Sequence, residues 1–166
     1  DSNDIGDFYY APPTDFLALC TSNLPDVAVV PSEHFNTLLY TGDNTNNRSI
    51  TGVGFAPDLV WAKSRPANSG HNLSDKVRGD DKILKSDSTA AETTPNTISS
   101  LDADGFTVGS GSGYDVNKNG EAIVAWNWKA NGSGSANTNG SLNSTVSANV
   151  DAGFSIVSYT GTGSAG

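Results

Sequence analysis

The chain has 166 residues, enough for one large domain or one and a half small ones around a real core. Its net charge of −9 leaves no basic patch to displace phosphate counterions and disfavours anionic membrane surfaces, which excludes nucleic acid and membrane as expected partners. Gly is plentiful, Met is absent and charged residues are 16%, so strong helix formers are scarce, while Thr, Val, Ile and the aromatics suit strands. The expected fold class is all-β: antiparallel strands with long polar loops.

Residues 1–31 form a block of their own. Phe8–Tyr10 and Asp15–Cys20 read as two short strands around Ala11-Pro12-Pro13-Thr14, where two prolines enforce an extended bend. Cys20, the single cysteine, rules out an intrachain disulfide and a CxxC metal site. Its place in the apolar run Phe16–Cys20 predicts a buried thiol. No apolar stretch approaches the length of a membrane-spanning helix, and no basic n-region precedes an apolar core, so no signal peptide is expected. Because the chain opens on Asp1 rather than Met, an upstream segment is expected.

His34–Thr41 alternates as a strand, with Phe35, Thr37 and Leu39 on one face and Leu38 and Tyr40 on the other. Further strands are expected at Ser49–Val53, Asp58–Lys63, Asn72–Arg78, Lys82–Lys85 and Gly105–Gly109, with Gly79-Asp80-Asp81 as a turn. Glu121–Lys129 is the clearest strand: Ala122, Val124, Trp126 and Trp128 face one way, Ile123 and Ala125 the other. Ser88–Glu92 is the single helical hint. Short strands at this spacing point to a β-sandwich or jelly roll. Asn131–Asn149 is rich in Gly, Asn, Ser and Thr, and reads as a flexible linker or as a long loop with one edge strand.

An internal repeat organises these elements. Phe35-Asn36-Thr37-Leu38-Leu39-Tyr40-Thr41-Gly42 aligns with Phe154-Ser155-Ile156-Val157-Ser158-Tyr159-Thr160-Gly161, identical at the Phe, Tyr, Thr and Gly positions. The expected organisation is therefore the closing strands of a preceding domain at 1–31, a complete domain at 32–130, a loop or linker at 131–152 and the first strand of a second repeat at 153–166.

The motifs carry little catalytic chemistry, and the protein is not expected to be an enzyme. Gly161–Gly166 matches G-x-G-x-x-G, but it repeats the ordinary loop that starts at Gly42, and a dinucleotide fold needs a following helix. Asp115, Asn117 and Asn119, ahead of Gly120, resemble the first half of a calcium loop. The twelfth position is Trp126 rather than a carboxylate, and Asn119-Gly120 is also turn chemistry. The two readings are thus a turn, or a Ca²⁺ site with Asp102 and Asp104 nearby; no other cofactor is expected. His34 and His71 lack partners at metal-ligand spacing, no strand alternates carboxylates as a glycosidase would, and no Ser elbow is present. Trp61, Trp126 and Trp128 are the largest apolar residues. They read either as core or as a stacking platform for sugar rings. The N-x-[ST] sequons at Asn47, Asn72, Asn131, Asn139 and Asn143 are what an Asn/Ser/Thr-rich chain produces by chance.

The runs FNTLLYTGD, RSITGVGFAPDLVWAK, HNLSDKVRG, SLDADGFTVGS and NGEAIVAWNWKA resemble a concanavalin-like domain of tail-fibre and other virion proteins of marine and cyanobacterial phages. The likeness covers Phe35 to about Ala130 and begins again near Gly153. Residues 8–25 resemble the closing strands of a SPRY-like sandwich. The resemblance implies a structural component of a virion appendage such as a tail fibre, on the virion surface. Its implied partners are other virion proteins, copies of itself (a trimer, by analogy with fibres) and host-surface glycan. It carries no catalytic residue onto this sequence. Other roles compatible with the residues are a purely architectural capsid decoration, tail spacer or filament subunit, and a carbohydrate-binding module of a secreted enzyme.

Overall fold

A computed structural model of the chain describes residues 8–109 and 116–163. The chain divides into two compact units, Asp1–Val30 and Pro31–Gly166.

In the first unit, the two strands expected at Phe8–Tyr10 and Asp15–Cys20 do not form. Its described residues hold one 3-10 turn, Thr21–Asn23, and otherwise irregular backbone. The physical reason is local. Pro12 and Pro13 remove two ladder donors, Asp15 sits at φ 70°, and Phe16 donates its amide back to Pro13 at 3.1 Å in a turn. Cys20 is half-buried rather than buried.

The second unit is all-β, and every strand pair in it is antiparallel. Its strands are β1 (Phe35–Thr41), β2 (Arg48–Thr51), β3 (Leu59–Ser64), β4 (Asn72–Asp75), β5 (Gly79–Leu84), β6 (Ile98–Asp102), β7 (Gly105–Val108), β8 (Ala122–Trp128), β9 (Ser135–Asn137), β10 (Ser144–Asn149) and β11 (Phe154–Tyr159). They form a five-stranded sheet in the order β1-β8-β3-β4-β5, and two three-stranded sheets, β2-β7-β6 and β11-β10-β9.

The first two sheets make a β-sandwich. Strand alternation sends Val60 and Ala62 of β3, Ile123 and Ala125 of β8, and Ile83 of β5 inward from the large sheet. Ile50, Ile98, Leu101, Phe106 and Val108 meet them from the small one. Leu38 and Tyr40 of β1 pack on this cluster, and Tyr40 donates its hydroxyl to the Val116 carbonyl at 2.6 Å. Burial pushes the Tyr40 phenol far above its ordinary pKa, against a smaller downward pull from Arg48, so it stays a neutral donor. Gly105, at φ 149°, lets β7 pass close to β2: a Cβ there would meet the Ile50 carbonyl oxygen.

The turn between β4 and β5 is displaced from its expected place. Gly79–Asp81 belong to β5, and Lys76–Arg78 make the turn. Asp75 causes this: its carboxylate accepts the Val77 and Arg78 amides at 3.0 and 2.9 Å, and the Arg78 guanidinium closes on it at 2.6 Å. Ser88–Glu92 is not helical, and the Thr93 that follows bridges Ile83 of β5. Where composition suggested a linker or a loop with one edge strand, β9 and β10 pair with each other, and β10 pairs with β11.

Candidate functional site

The face of the five-stranded sheet opposite the core carries the tryptophans. Because Val60, Ala62, Ile123 and Ala125 point inward, the alternate residues Trp61, Trp126 and Trp128 must point outward, and all three are half-buried rather than core. Register brings them into two groups. Trp61 and Trp126 are direct cross-strand partners, with ring centroids 5.3 Å apart at 56°. Trp128 lies between two phenylalanines: Phe35, its partner on β1, at 5.0 Å, and Phe154 of β11, stacked at 6.1 Å and 20°. Along β1 the same face continues through Leu39, which is 65% exposed.

His71, the residue just before β4, completes the first group. Its ring centroid is 5.6 Å from that of Trp61, and the Trp61 indole N–H donates to His71 Nδ1 at 3.2 Å. Indole is a donor only, so Nδ1 accepts and the proton of the neutral ring sits on Nε2; Ser86 Oγ also lies 2.9 Å from Nδ1. The His71 amide donates to Asp87 at 3.2 Å, and this bond first of all holds the Asp87 carboxyl below its usual range. The result is a rigid aromatic surface with an imidazole and a carboxylate at its rim. It can stack on flat apolar faces and exchange hydrogen bonds beside them.

A cleft of about 330 Å³ lies further along this face, floored by Leu59, Leu73, Leu84 and Ile156 and walled by Tyr159 and the Asp75–Arg78 ion pair. Arg78 is fully engaged there, with Asp75, Glu92 and the Leu73 and Lys82 carbonyls as acceptors, so the cleft offers apolar contact rather than a free cation.

The calcium reading fares differently at each of its residues. Asp115 lies outside the described residues. Asn117 is 4% exposed, and its amide serves the fold. Its oxygen accepts from the Asp43 amide at 3.2 Å and the Arg48 guanidinium at 3.3 Å, while its nitrogen donates to the Thr45 carbonyl at 2.8 Å. An oxygen already facing a guanidinium is not offered to a cation. Asn119 is exposed in a turn that closes from the Glu121 amide to the Lys118 carbonyl at 3.1 Å, with Gly120 at φ 79°. Asp102 and Asp104 are also occupied, by the Thr107 hydroxyl and by the Gly52 and Gly54 amides. Among the described residues, no group of three or more His, Cys, Asp or Glu is placed to hold a metal ion.

His71, Phe35 and Phe154 were not singled out in the sequence as site residues. Phe35 had a partial signal, since its alternation groups it with Thr37 and Leu39 on one face of β1. Nothing local announces that His71 and Phe154 arrive beside Trp61 and Trp128.

The fold and this face define a class: a β-sandwich module with an aromatic outer sheet face. The DUF7483 domain, a domain of unknown function, matches residues 30–166, and the chain belongs to that family. No curated protein and no solved structure matches the chain.

Proposed function

We propose that this chain is a non-catalytic structural module of a bacteriophage virion appendage, such as a tail fibre, whose aromatic face meets host-surface glycan. The appendage part rests on the likeness of Phe35–Ala130 to concanavalin-like virion domains. The recognition part rests on one observation, the outward Trp61–Trp126 pair. Two indoles 5.3 Å apart on a rigid sheet are ordered before any ligand arrives, so the C–H faces of sugar rings stack on them at small entropic cost. Each contact is weak, and repetition of the module in a homo-oligomer raises the avidity of the whole.

A glycan array probed with the chain and with its Trp61→Ala and Trp126→Ala variants tests this. The expected result is a bound glycan whose signal falls at least tenfold in either variant while the melting curve stays cooperative. A signal indifferent to both substitutions removes the recognition role. Immunogold labelling of particles tests the location.

A second reading, a purely architectural role as capsid decoration, tail spacer or filament subunit, is favoured by Phe154, which already covers Trp128. Absence of any bound glycan would select it.

A further inference from the structure

We infer that β11 is the opening strand of a second sandwich, and that its free edge and exposed face dock a following unit built on the same strand pattern as residues 35–130. This stands independently of glycan recognition.

The first observation is orientation. The repeat equates Phe154–Tyr159 with Phe35–Tyr40. In β1 the core takes Leu38 and Tyr40, while Phe35 and Leu39 face outward at 40% and 65% exposure. In β11 the arrangement is reversed. Val157 and Tyr159, the counterparts of Leu38 and Tyr40, are 51% and 65% exposed. Ile156, the counterpart of outward Thr37, is buried, and Phe154 lies on Trp128. The strand is seated by the face that β1 turns outward, while Val157 and Tyr159, on the face that β1 buries, border the open cleft over Leu59, Leu73 and Leu84 and stay largely exposed.

The second observation is the edge. Three of the other edge strands, β1, β5 and β6, have edge groups engaged by the molecule itself. On β1, Asn36 Oδ1 takes the Thr37 amide at 2.8 Å and Arg48 takes the Thr41 carbonyl at 2.7 Å. On β5, Ile83 exchanges bonds with Thr93 at 2.8 and 3.1 Å. On β6, Asp80 takes the Leu101 amide and Lys76 its carbonyl, at 2.9 and 2.8 Å. β11 ends its sheet beside β10 alone among the described residues, and no charged side chain lies between Phe154 and Tyr159 to discourage pairing.

The occupant follows from an interface already present in the molecule. β1 is covered on its edge by β8, where Leu38 and Tyr40 pair with Ala125 and Ile123, and on its face by the sheet that carries Phe106. A strand of β8 pattern, with small apolar residues toward one side and tryptophans toward the other, and a facing β2-β7-β6-type sheet would give Val157 and Tyr159 the surroundings of Leu38 and Tyr40.

The test extends the full chain. Residues 162–166 are replaced by a second copy of residues 43–130, so that Tyr159-Thr160-Gly161 leads into it as Tyr40-Thr41-Gly42 leads into the first. A reference extension carries the sequence of residues 35–41 at 154–160. The expected result is an added segment that resists limited proteolysis as the reference does. Val157→Asp should make the added segment cleavable, while the same substitution leaves the melting temperature of the unextended chain within about 2 °C of parent. Digestion of the extension back to parent length overturns the inference, as does equal resistance with and without Val157→Asp.

Discussion

Asp58 is the residue on which residues 130–132 hang, and removing its carboxylate has a calculable cost. Asp58 is 7% exposed, and its two oxygens accept the Ala130 amide at 2.7 Å and the Gly132 amide at 3.2 Å. Ala130 is 8% exposed, so in Asp58→Ala its amide loses a charged acceptor and gains no water. A stranded buried donor costs about 1–3 kcal/mol, and the second, half-exposed amide adds about 1 kcal/mol for its lost bond. The sum is about 2–4 kcal/mol, or about 4–16 °C in melting temperature for a chain of this size. Asp58→Asn keeps one oxygen acceptor, without its charge, and should lose about half as much. Thermal melts followed by circular dichroism measure both, with the exposed Asp151→Ala as a reference expected within about 0.5 kcal/mol of parent. Limited proteolysis should also cut Asp58→Ala near residues 131–152 before the sandwich unfolds. An Asp58→Ala protein that melts with the Asp151→Ala reference would refute the reasoning, because it would mean that the Ala130 amide finds another partner.

Three other outcomes follow from the same geometry. Gly105→Ala drives a Cβ into the Ile50 carbonyl oxygen at φ 149°, so β2 and β7 must separate; urea unfolding should show a loss of about 3 kcal/mol or more. Asn117→Ala removes the bonds to Asp43, Thr45 and Arg48 and should cost about 2–3 kcal/mol by the same assay, while Ca²⁺ titrated into the parent chain should release no heat. The Glu121 carboxyl is held below its ordinary value of 4.5, first by its bond from Lys118 and then by that from Ser64. Its folded pKa is therefore the lower one, and its contribution is present above the unfolded value and lost as pH falls through the folded value. Melting temperatures of parent and Glu121→Gln should accordingly differ at neutral pH and converge in acid well below 4.5.

The sandwich strands were legible because their period is strong. Glu121–Lys129 alternates without a break, and the structure keeps both its boundaries to within a residue and its two faces. What failed did so for reasons that periodicity does not carry. Gly79-Asp80-Asp81 has turn composition, yet Asp75 sets the turn three residues earlier through side-chain bonds to the chain ahead of it. Ile98–Asp102 was missed because Ser99 and Ser100 interrupt its apolar pattern, and β7 supplies the ladder. Ser135–Asn137 and Ser144–Asn149 have linker composition, but β11 gives Ser144–Asn149 a template across a tight turn, and that strand in turn pairs with Ser135–Asn137. At the site, the sequence placed Trp126 and Trp128 on one face. It could not say which face, because that depends on what packs against Ile123 and Ala125. It also could not show that Trp61 pairs with Trp126, since cross-strand register is a long-range property.

The distribution of bulk across the large sheet makes the aromatic face hard to explain by stability alone. A sheet that needed tryptophan for its core would turn it toward Phe106, yet β3 and β8 send Val60, Ala62, Ile123 and Ala125 there and leave the largest side chains only partly covered on the outer face. The Trp61–Trp126 contact contributes about 0.5–1.5 kcal/mol beyond area burial, which smaller β-branched pairs on the same positions would largely recover. Keeping Leu39 and Phe35 exposed beside them enlarges the apolar surface rather than shielding it. Stability and the proposed recognition can therefore be separated at these positions. Trp126→Val should retain most of the melting temperature and abolish the proposed glycan binding, whereas a purely stabilising role predicts a large loss of melting temperature and no glycan binding in either protein.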